Sequence, residues 1–545
     1  MTTYLNTRGL EISIDKSAAI AFTRRRMDKY PLKIGKRTIP YVKCHTFLGV
    51  TIDRGLTWSP HILYLRKKLA SFSVLARFIG GTTWGATVRS LLQIYVALFV
   101  GLLRYSAPIL HGTCQTNIKA LRAVQARGLR GCLGLPACAS TLGTVAEARA
   151  TPVEILMTQE TLRVHLRHTT NHSHHLLADL TFKRPHSEYS MALSKMEQYI
   201  PDDINSFNLP TIPPWRLPLP VVELDIQGIK KKSNTPLLVL KQLTLSTIAC
   251  LHASKTHIYT DGSCVKNSST ASIVIPSYAT TRKFKLSHKT SSTAAGLVGL
   301  HQALRFILTK PPQAWTVFTD SKPALQSICT YLRRSENEQI IFKLLCHLQK
   351  CIDRRHSVEF QWIPGHCKIP GNEAADGAAT SAHTLFPNVE IPYSRSDVTS
   401  LINLHARNAT QSLWKSSAHH YPPLYLLDPD LTYRVSRNLP KRTEAVIHRL
   451  RLGVSYTQEF LHRIGKTHTP NCPGCDCVET ISHLLCECAL YDAERELLKR
   501  ILSHLDDRPF TTSKILGAWD SPLKEEKAAK ALLRFLSATR LEFCL

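Results

Sequence analysis

The sequence predicts a multi-domain α/β protein in which a mixed α/β domain lies between two mostly helical regions. The chain has 545 residues, and this length suggests several domains, since one domain takes roughly 100–200 residues. Residues 255–383 alternate strand-like with helix-like segments. Residues 61–180 and 384–545 instead carry their apolar side chains mainly at helical spacing.

The charge balance is strongly basic. Lys and Arg total 69 residues against 40 for Asp and Glu, which gives a formal net charge of +29. Such an excess favours a polyanionic partner, because contact with a nucleic acid releases the counterions condensed on its phosphates. We therefore expect nucleic acid as a partner, with a basic surface that only keeps the protein soluble as the alternative.

Residues 1–60 alternate short strand-like runs with turn signals, as in "GLEISID" and "FLGVTID". Residues 61–180 follow with helical spacing. The start of the chain lacks the apolar run of a secretory signal, so we expect an intracellular, non-secreted protein. The most apolar run, Leu91–Leu103, is shorter than the ~18–20 residues that cross a bilayer. It is predicted as a buried core helix, and no membrane contact is expected.

Residues 181–254 are predicted as a proline-rich linker. Proline fixes φ and removes a backbone donor, so a cluster of prolines favours an extended, semi-rigid connection. The prolines are Pro201, Pro210, Pro213, Pro214, Pro218 and Pro220.

Within residues 255–383 the predicted strands are "HIYTD", "ASIVIPS", "RKFKLS", "AWTVFTD" and "SVEFQWIP". In the last of these, apolar side chains recur at period two, as expected for one face of a strand. The helices are "SSTAAGLVGLHQALRF", two helices that begin at about 321 and 336, and "NEAADGAAT".

Three aspartates stand where carboxylates can converge. Asp261 and Asp320 each end a predicted strand, and Asp376 lies on the helix that follows a Gly/Pro loop. Like charges in one crevice are tolerated only if cations lie between them, and two Mg²⁺ ions about 3.5–4 Å apart would serve. For any single one of these aspartates, a turn or helix-capping role is the alternative.

The motifs "YTDGS", "FTDSKPAL" and "WIPGHCKIPGNEAAD" resemble the type 1 ribonuclease H domain over residues 255–383. The resemblance implies a mixed sheet with helices, Mg²⁺ or Mn²⁺ as cofactor, and hydrolysis of the RNA strand of RNA/DNA hybrids. It also implies that Asp261, Asp320 and Asp376 bind the metal and that His366 assists proton transfer or product release.

The fourth acidic residue of that family is a glutamate, commonly within "TAAEL". Here the chain reads "TAAGL", so Gly296 occupies the expected position, and no Asp or Glu lies between Gly262 and Thr319. A two-metal site that lacks one ligand loses transition-state stabilisation of several kcal/mol, and each ~1.4 kcal/mol is a factor of ten in rate. We expect severely reduced catalysis.

The segments "GLEISIDKSAAIAFT", "FLGVTIDRGLTWSPHI" and "LRYSAPILHG" resemble the palm end (residues 1–60) and the thumb (residues 61–180) of reverse transcriptases from non-LTR retrotransposons. The polymerase's Tyr-x-Asp-Asp hairpin would lie upstream of "GLEISIDKS". The Asp-Asp pairs of this sequence, Asp202–Asp203 and Asp506–Asp507, lack the preceding tyrosine. We therefore expect no polymerase active site in this polypeptide.

The stretch "CPGCDCVETISHLLCEC" contains a C-x2-C-x7-H-x4-C arrangement at residues 472–488. Thiolates and an imidazole at this spacing can close a tetrahedral, structural Zn²⁺ site. The arrangement also resembles the terminal Cys/His motif of retroelement proteins, which is thought to assist nucleic-acid binding. The predicted ligands are Cys472, Cys475, His483 and Cys488, with Cys477 and Cys486 as competing ligands and unligated thiols as the alternative.

Two functions follow from these resemblances. The first is a retrotransposon-derived, Mg²⁺-dependent ribonuclease of RNA/DNA hybrids with impaired activity. The second is a catalytically dead relic that binds nucleic acid. The resemblance is compatible with a nuclear location, and it does not identify which proteins, if any, bind the chain.

Overall fold

The structure is a computed structural model. It describes residues 4–545 except 6, 10–11, 24–29, 35, 82–83, 111–112, 170–212, 214–215, 230, 331–337, 418–421 and 434–438. The described residues form two compact units. The α/β unit, called the RNase H unit after the resemblance described above, contains the described residues 163–169 and those from 213 to 402, and the helical unit contains those up to 162 and from 403 onward.

The RNase H unit is built on a six-stranded mixed sheet with strand order β5-β10-β9-β6-β7-β8. β6 pairs with β7, and β7 with β8, in antiparallel orientation, whereas β5, β10, β9 and β6 run parallel to one another. The strands are β5 Val221–Glu223, β6 Thr256–Cys264, β7 Ser269–Ile275, β8 Thr280–Lys285, β9 Ala314–Thr319 and β10 Ser357–Trp362.

One face of this sheet is covered by three helices, named α7 (Ser292–Ile307), α8 (Lys322–Cys329) and α9 (Glu338–Asp353). Their apolar stripes pack on the inward side chains of the central strands to form the main core of the unit. Trp315 and Phe360 of that core are fully buried. The helices "SSTAAGLVGLHQALRF" and those predicted near 321 and 336 are present at these positions.

The opposite face is covered by α6 (Leu237–Leu251) and α10 (Pro370–Ser381). α6 buries Leu240 and Ile248 against the sheet, where they join a core with Phe318. Residues 221–251 therefore belong to the folded unit, whereas the sequence predicted a linker over 181–254. The apolar periodicity of α6 and the pairing of β5 with β10 outweigh the nearby prolines. Pro201, Pro210 and Pro214 lie outside the described residues.

The helical unit begins with two small antiparallel hairpins, β1 with β2 and β3 with β4. Leu48 and Gly49 join the second hairpin with positive φ angles of 47° and 80°, as a tight two-residue turn requires. The strands are β1 Lys33–Ile34, β2 Arg37–Thr38, β3 Cys44–Phe47 and β4 Val50–Asp53. The helices that follow are α1 Ser59–Gly80, α2 Val88–Leu110, α3 Gln115–Leu133, α4 Thr141–Glu147 and α5 Val153–Thr169.

α2 is longer than the apolar run predicted from the sequence. It has 23 residues, and its length and composition would allow it to cross a membrane. Leu91, Phe99 and Leu103 are nonetheless fully buried in the core of the helical unit. A π-helical turn interrupts the α-helix at Val96–Val100.

The C-terminal residues pack with the N-terminal helices of the same unit. Trp414, Leu424 and Leu452 lie in one core with α1, α2 and α3, and a second core lies among the last helices. The sequence treated 61–180 and 384–545 as separate regions, whereas within the described residues they share this unit. The C-terminal helices are α11 Arg395–Ser416, α12 Pro422–Leu427, α13 Lys441–Leu452, α14 Gln458–Arg463, α15 Asp492–Ser503, α16 Thr512–Leu516, α17 Pro522–Ala538 and α18 Leu541–Cys544.

Candidate active site and Cys/His centre

Asp261 and Asp320 lie side by side where two parallel strands separate. The pairing of β6 with β9 ends at Thr260 and Thr319. Asp261 is the next residue of β6, and Asp320 directly follows the last residue of β9. Asp261 does not end its strand as the sequence predicted, because β6 continues to Cys264 through antiparallel pairing with β7. The opening between the diverging strands brings the two carboxyl groups together.

Asp376 reaches the same region from α10. The Ser272 hydroxyl donates a hydrogen bond to the carbonyl oxygen of Ala375 at 2.6 Å, and Ser272 is the strand partner of Asp261. A second hydroxyl, that of Thr270, donates to the carbonyl of Ala379 at 2.8 Å. These two bonds fix the helix against β7, and they set the position of Asp376.

His366 stands at the rim of the site. Its Nδ1 lies 3.5 Å from Oδ2 of Asp376, and its side chain is 76% exposed. A hydrogen bond ties the loop that carries His366 to the first turn of α10, since the Lys368 amide donates to the Glu373 carboxylate at 3.0 Å. A Cβ on Gly365 would lie 2.2 Å from Oδ2 of Asp320, so only glycine allows this loop to approach the carboxyl group.

The pKa values of Asp261 and Asp320 are raised, and the two carboxyl groups are buried close to each other. Burial, followed by the charge of Asp320, raises the pKa of Asp261 from 3.8 to about 7. Burial also raises the pKa of Asp320, although the charge of His366 opposes this shift. Asp261 is 8% exposed, and in its protonated form it donates a hydrogen bond to Asp320. Strongly raised carboxyl pKa values in a cleft are typical of a functional site, and a cation would lower them.

Gly296 lies close to Gly262 and Ser321, the residues that directly follow Asp261 and Asp320. A Cβ on Gly262 would lie 2.6 Å from the backbone nitrogen of Gly296, and a Cβ on Gly296 would lie 3.0 Å from both Cβ and Oγ of Ser321. A side chain at 296 would therefore start next to Asp261 and Asp320. It would also need Ser321 to move by a few tenths of an ångström.

In the helical unit, the Cys/His motif forms a compact cluster. The ligand atoms of Cys472, Cys475, His483 and Cys488 all lie within 4.8 Å of one another. The Sγ of Cys488 is 3.8 Å from that of Cys472 and 3.7 Å from that of Cys475. Three soft thiolates and one imidazole fit the ligand set of Zn²⁺. Cys477 is a neighbour of the cluster, with its Sγ 3.3 Å from Nδ1 of His483.

Residues 253–384 match the RNase H family, and the mixed sheet with helices on both faces is the fold of an RNase H domain. The chain is also similar to three proteins of retrotransposable elements from Drosophila melanogaster. It is 27% identical over 124 residues to a protein named as an RNA-directed DNA polymerase from transposon X-element. The identity is also 27% over 127 residues of the 115 kDa protein of the type-1 retrotransposable element R1DM, and over 131 residues of the RNA-directed DNA polymerase from mobile element jockey.

These matches cover 22–23% of the chain and 12–14% of each relative. The chain thus spans less than two thirds of the length of the curated relatives that it matches. The resemblance to non-LTR retrotransposon proteins that the motifs indicated is confirmed, and so is the RNase H fold.

The residues that hold the site in place were not predicted from the sequence. Ser272 was predicted only as part of the strand "ASIVIPS", and Thr270 lies just before that segment, although small hydroxyl side chains on a buried strand indicate contact with a neighbouring helix. The Asp506–Asp507 pair lies after α15, where Asp506 pairs with Arg508 and Lys514. Asp202–Asp203 lies outside the described residues.

Proposed function

We propose that the chain is a retroelement ribonuclease H that binds RNA/DNA hybrids and whose phosphodiester cleavage is impaired by Gly296. The convergence of Asp261, Asp320 and Asp376 carries this proposal. The net charge of +29 supports binding to the phosphates of a hybrid.

The residues of the site suit a hard divalent cation, because carboxylate oxygens are the ligands that Mg²⁺ and Mn²⁺ prefer. When bound, two such cations would supply an activated water and stabilise the leaving oxygen of an in-line displacement. Asp261, Asp320 and Asp376 would hold them. His366 is exposed beside Asp376, and its imidazole can accept or return a proton near neutral pH.

The impairment follows from the absence of a carboxylate at 296. The interval between Gly262 and Thr319 contains no acidic residue that could replace it. With one ligand fewer, the cations bind more weakly and are less well positioned. A loss of about 3–4 kcal/mol in transition-state stabilisation corresponds to roughly a 10²–10³-fold slower reaction.

The test is cleavage of a labelled RNA/DNA hybrid by the full chain in Mg²⁺ and in Mn²⁺. Gly296→Glu is expected to cleave at least about a hundredfold faster than the unmodified chain. Gly296→Gln is the matched control, because it has the same size and lacks the charge. The new Cβ would crowd Ser321. Gly296→Glu and Gly296→Gln are therefore each also combined with Ser321→Gly, which removes this contact.

Asp261→Asn in the Gly296→Glu background is expected to abolish cleavage. The proposal is wrong if the Glu and Gln variants cleave equally, or if no variant cleaves while hydrogen exchange shows a folded RNase H unit. Binding of the hybrid without cleavage by the unmodified chain, with cleavage restored in Gly296→Glu, would support the second candidate, a relic that binds nucleic acid. Gly296 is the observation that favours this candidate.

We also propose that the Cys/His cluster holds a structural Zn²⁺. Cys472, Cys475, His483 and Cys488 would occupy all four positions of a tetrahedral site, which leaves none for a substrate. We further propose that the region around this cluster assists nucleic-acid binding and that the protein acts in the nucleus.

A further inference from the structure

A short lysine-rich segment, residues 224–234, connects β5 to α6 in the RNase H unit. Its sequence, "LDIQGIKKKSN", carries three lysines in a row, and the structure describes all of it except residue 230. This lysine segment lies outside residues 253–384, which match the RNase H family. The family match therefore assigns no role to it, and neither does the carboxylate site described above.

The start of the lysine segment is tied to elements that surround the carboxylate site. β5 pairs with β10, and the side-chain amide of Gln361 on β10 donates a hydrogen bond to the carbonyl oxygen of Asp225 at 3.4 Å. The Asp225 carboxylate accepts a hydrogen bond from Nζ of Lys322 at 2.8 Å. Lys322 begins α8, two residues after Asp320. These contacts place the start of the segment beside the strand end that carries Asp320.

A tight turn follows and reverses the chain. The Ile229 amide donates a hydrogen bond to the carbonyl oxygen of Ile226 at 3.0 Å, and Gly228 has a φ of 92°, as a turn with glycine at its third position requires. Ile226 is 2% exposed and lies in one core with Cys367, the residue after His366. The turn is therefore packed within the core that also supports the His366 loop.

The other end of the lysine segment is held by the same core. α6 begins at Leu237, three residues after the segment ends, and it buries Leu240 together with Ile226. A backbone that is fixed at both ends loses little conformational entropy when one of its side chains meets a ligand. The lysines of the segment are thus presented at a defined place.

Lys232 lies close to the carboxylate site. The Cys367 thiol donates a hydrogen bond to the carbonyl oxygen of Gly365 at 3.5 Å, and Gly365 abuts the carboxyl group of Asp320. Burial raises the pKa of Cys367 and of Asp320, and the positive charge of Lys232 opposes both shifts. A charge has this effect only at short range. Lys231 and Lys232 are exposed, and neither forms an ion pair with a residue that the structure describes.

We propose that Lys232 contacts a phosphate of the bound RNA/DNA hybrid next to the carboxylate site. The inference rests on the proposed function, because that function brings the phosphates of the hybrid to Asp261, Asp320 and Asp376. Carboxylates repel phosphates, and an exposed ammonium group at the rim of the site, free of any ion pair within the described residues, offsets part of this repulsion. Lys232 is thus a substrate-binding residue, and Lys231 adds to the positive charge around it.

The test is equilibrium binding of a labelled RNA/DNA hybrid to the full chain over a range of salt concentrations. Lys232→Gln is expected to weaken binding about eightfold at about 0.1 M salt and to reduce the slope of log K against log salt by about 0.9, as for one lost phosphate contact. Lys232→Arg keeps the charge and is expected to keep both the affinity and the slope. Lys350→Gln is the matched control, because Lys350 is exposed in the last turn of α9. That helix ends where β10 and β9 begin their pairing, at the end of the sheet opposite the carboxylates.

A second measurement locates the contact on the hybrid. Single methylphosphonate groups, which carry no charge, replace the phosphates one at a time along each strand. At the position that Lys232 contacts, Lys232→Gln is expected to cause no further loss of affinity, and this position is expected to lie near the bond that Gly296→Glu cleaves. Hydrogen exchange of the α6 amides is expected to be unchanged in Lys232→Gln, which distinguishes a lost contact from a disturbed fold.

The inference is overturned if Lys232→Gln and Lys350→Gln change affinity and slope equally, if Lys232→Arg binds as weakly as Lys232→Gln, or if no methylphosphonate position removes the effect of Lys232→Gln. Failure of the proposed nuclease gives a different pattern, in which Gly296→Glu cleaves nothing while Lys232→Gln still weakens binding of the hybrid. Cleavage by Gly296→Glu together with unchanged binding in Lys232→Gln would remove only the phosphate contact.

Discussion

Asp261→Asn is expected to stabilise the RNase H unit at neutral pH. Burial and the nearby Asp320 raise the pKa of Asp261 from 3.8 to about 7. Between these values the folded carboxyl group holds a proton that the unfolded chain has lost, so its contribution to stability falls as the pH rises through this window. Asparagine does not ionise and removes this dependence.

The magnitude follows from the shift. One pKa unit corresponds to about 1.4 kcal/mol, so a rise from 3.8 to about 7 costs the folded state roughly 4 kcal/mol above pH 7 if Asp261 acted alone. Because Asp261 shares its proton with Asp320, the expected gain for Asp261→Asn at pH 8 is about 2 kcal/mol. At pH 4, near the unfolded pKa, the gain is expected to be well under about 1 kcal/mol.

The assay is hydrogen exchange of the amides of β6 and β9 in the full chain, corrected for intrinsic rates, at pH 4 and pH 8. A gain of about 2 kcal/mol slows this exchange roughly thirtyfold at pH 8. Asp225→Asn is the control, because Asp225 is 81% exposed and pairs with Lys322. Unchanged exchange in Asp261→Asn, or the same slowing at both pH values, would refute the reasoning.

Three further predictions concern single features. Arg451→Met is expected to lower the free energy of unfolding by about 3–5 kcal/mol, measured by thermal denaturation, because Glu147 stays buried without its ion pair. Cys472→Ser with Cys475→Ser is expected to remove zinc, as measured by elemental analysis of the purified chain. Gly371→Ala is expected to destabilise the RNase H unit by about 1–3 kcal/mol, seen as faster hydrogen exchange, because its Cβ would lie 2.3 Å from a tyrosine ring.

Each of these has a matched control that is not expected to reproduce the effect of the variant. Arg500→Met replaces an exposed arginine, and Cys544→Ser replaces an exposed cysteine. Gly377→Ala adds a Cβ that meets nothing within 4 Å on the same helix, and it is expected to stabilise that helix by about 1 kcal/mol. Equal effects in variant and control, or zinc retained by the double serine variant, would contradict the corresponding prediction.

Local patterns predicted much of the RNase H fold. The strands and helices of residues 255–383 follow from their apolar periodicity, and the aspartates stand out because each follows or interrupts a regular pattern. The end of β6 was misplaced, since Gly262 and Ser263 look like a turn, and only their pairing with β7 keeps them in the strand. Register of this kind depends on residues elsewhere in the chain, which local patterns do not describe.

Contacts between residues far apart in the chain could not be predicted either, because local sequence patterns do not show which segments pack together. Glu147 and Arg451 are each unremarkable on their own helices, and 304 positions separate them along the chain. Their ion pair appears only once the N-terminal and C-terminal helices are packed together. The role of α6 was likewise not predicted, because the prolines between 201 and 220 suggested a linker over the whole segment, while the apolar face of α6 packs against side chains of the sheet.

The pairing of β5 with β10 determines where the RNase H unit can be separated from the rest of the chain. A fragment starting at residue 253, where the family match begins, would lose both β5 and α6. It would leave the hydrogen-bonding edge of β10 open to strands of other molecules and would uncover Phe318, which is now fully buried. Such a fragment should self-associate, whereas one that starts before Val221 should stay monodisperse.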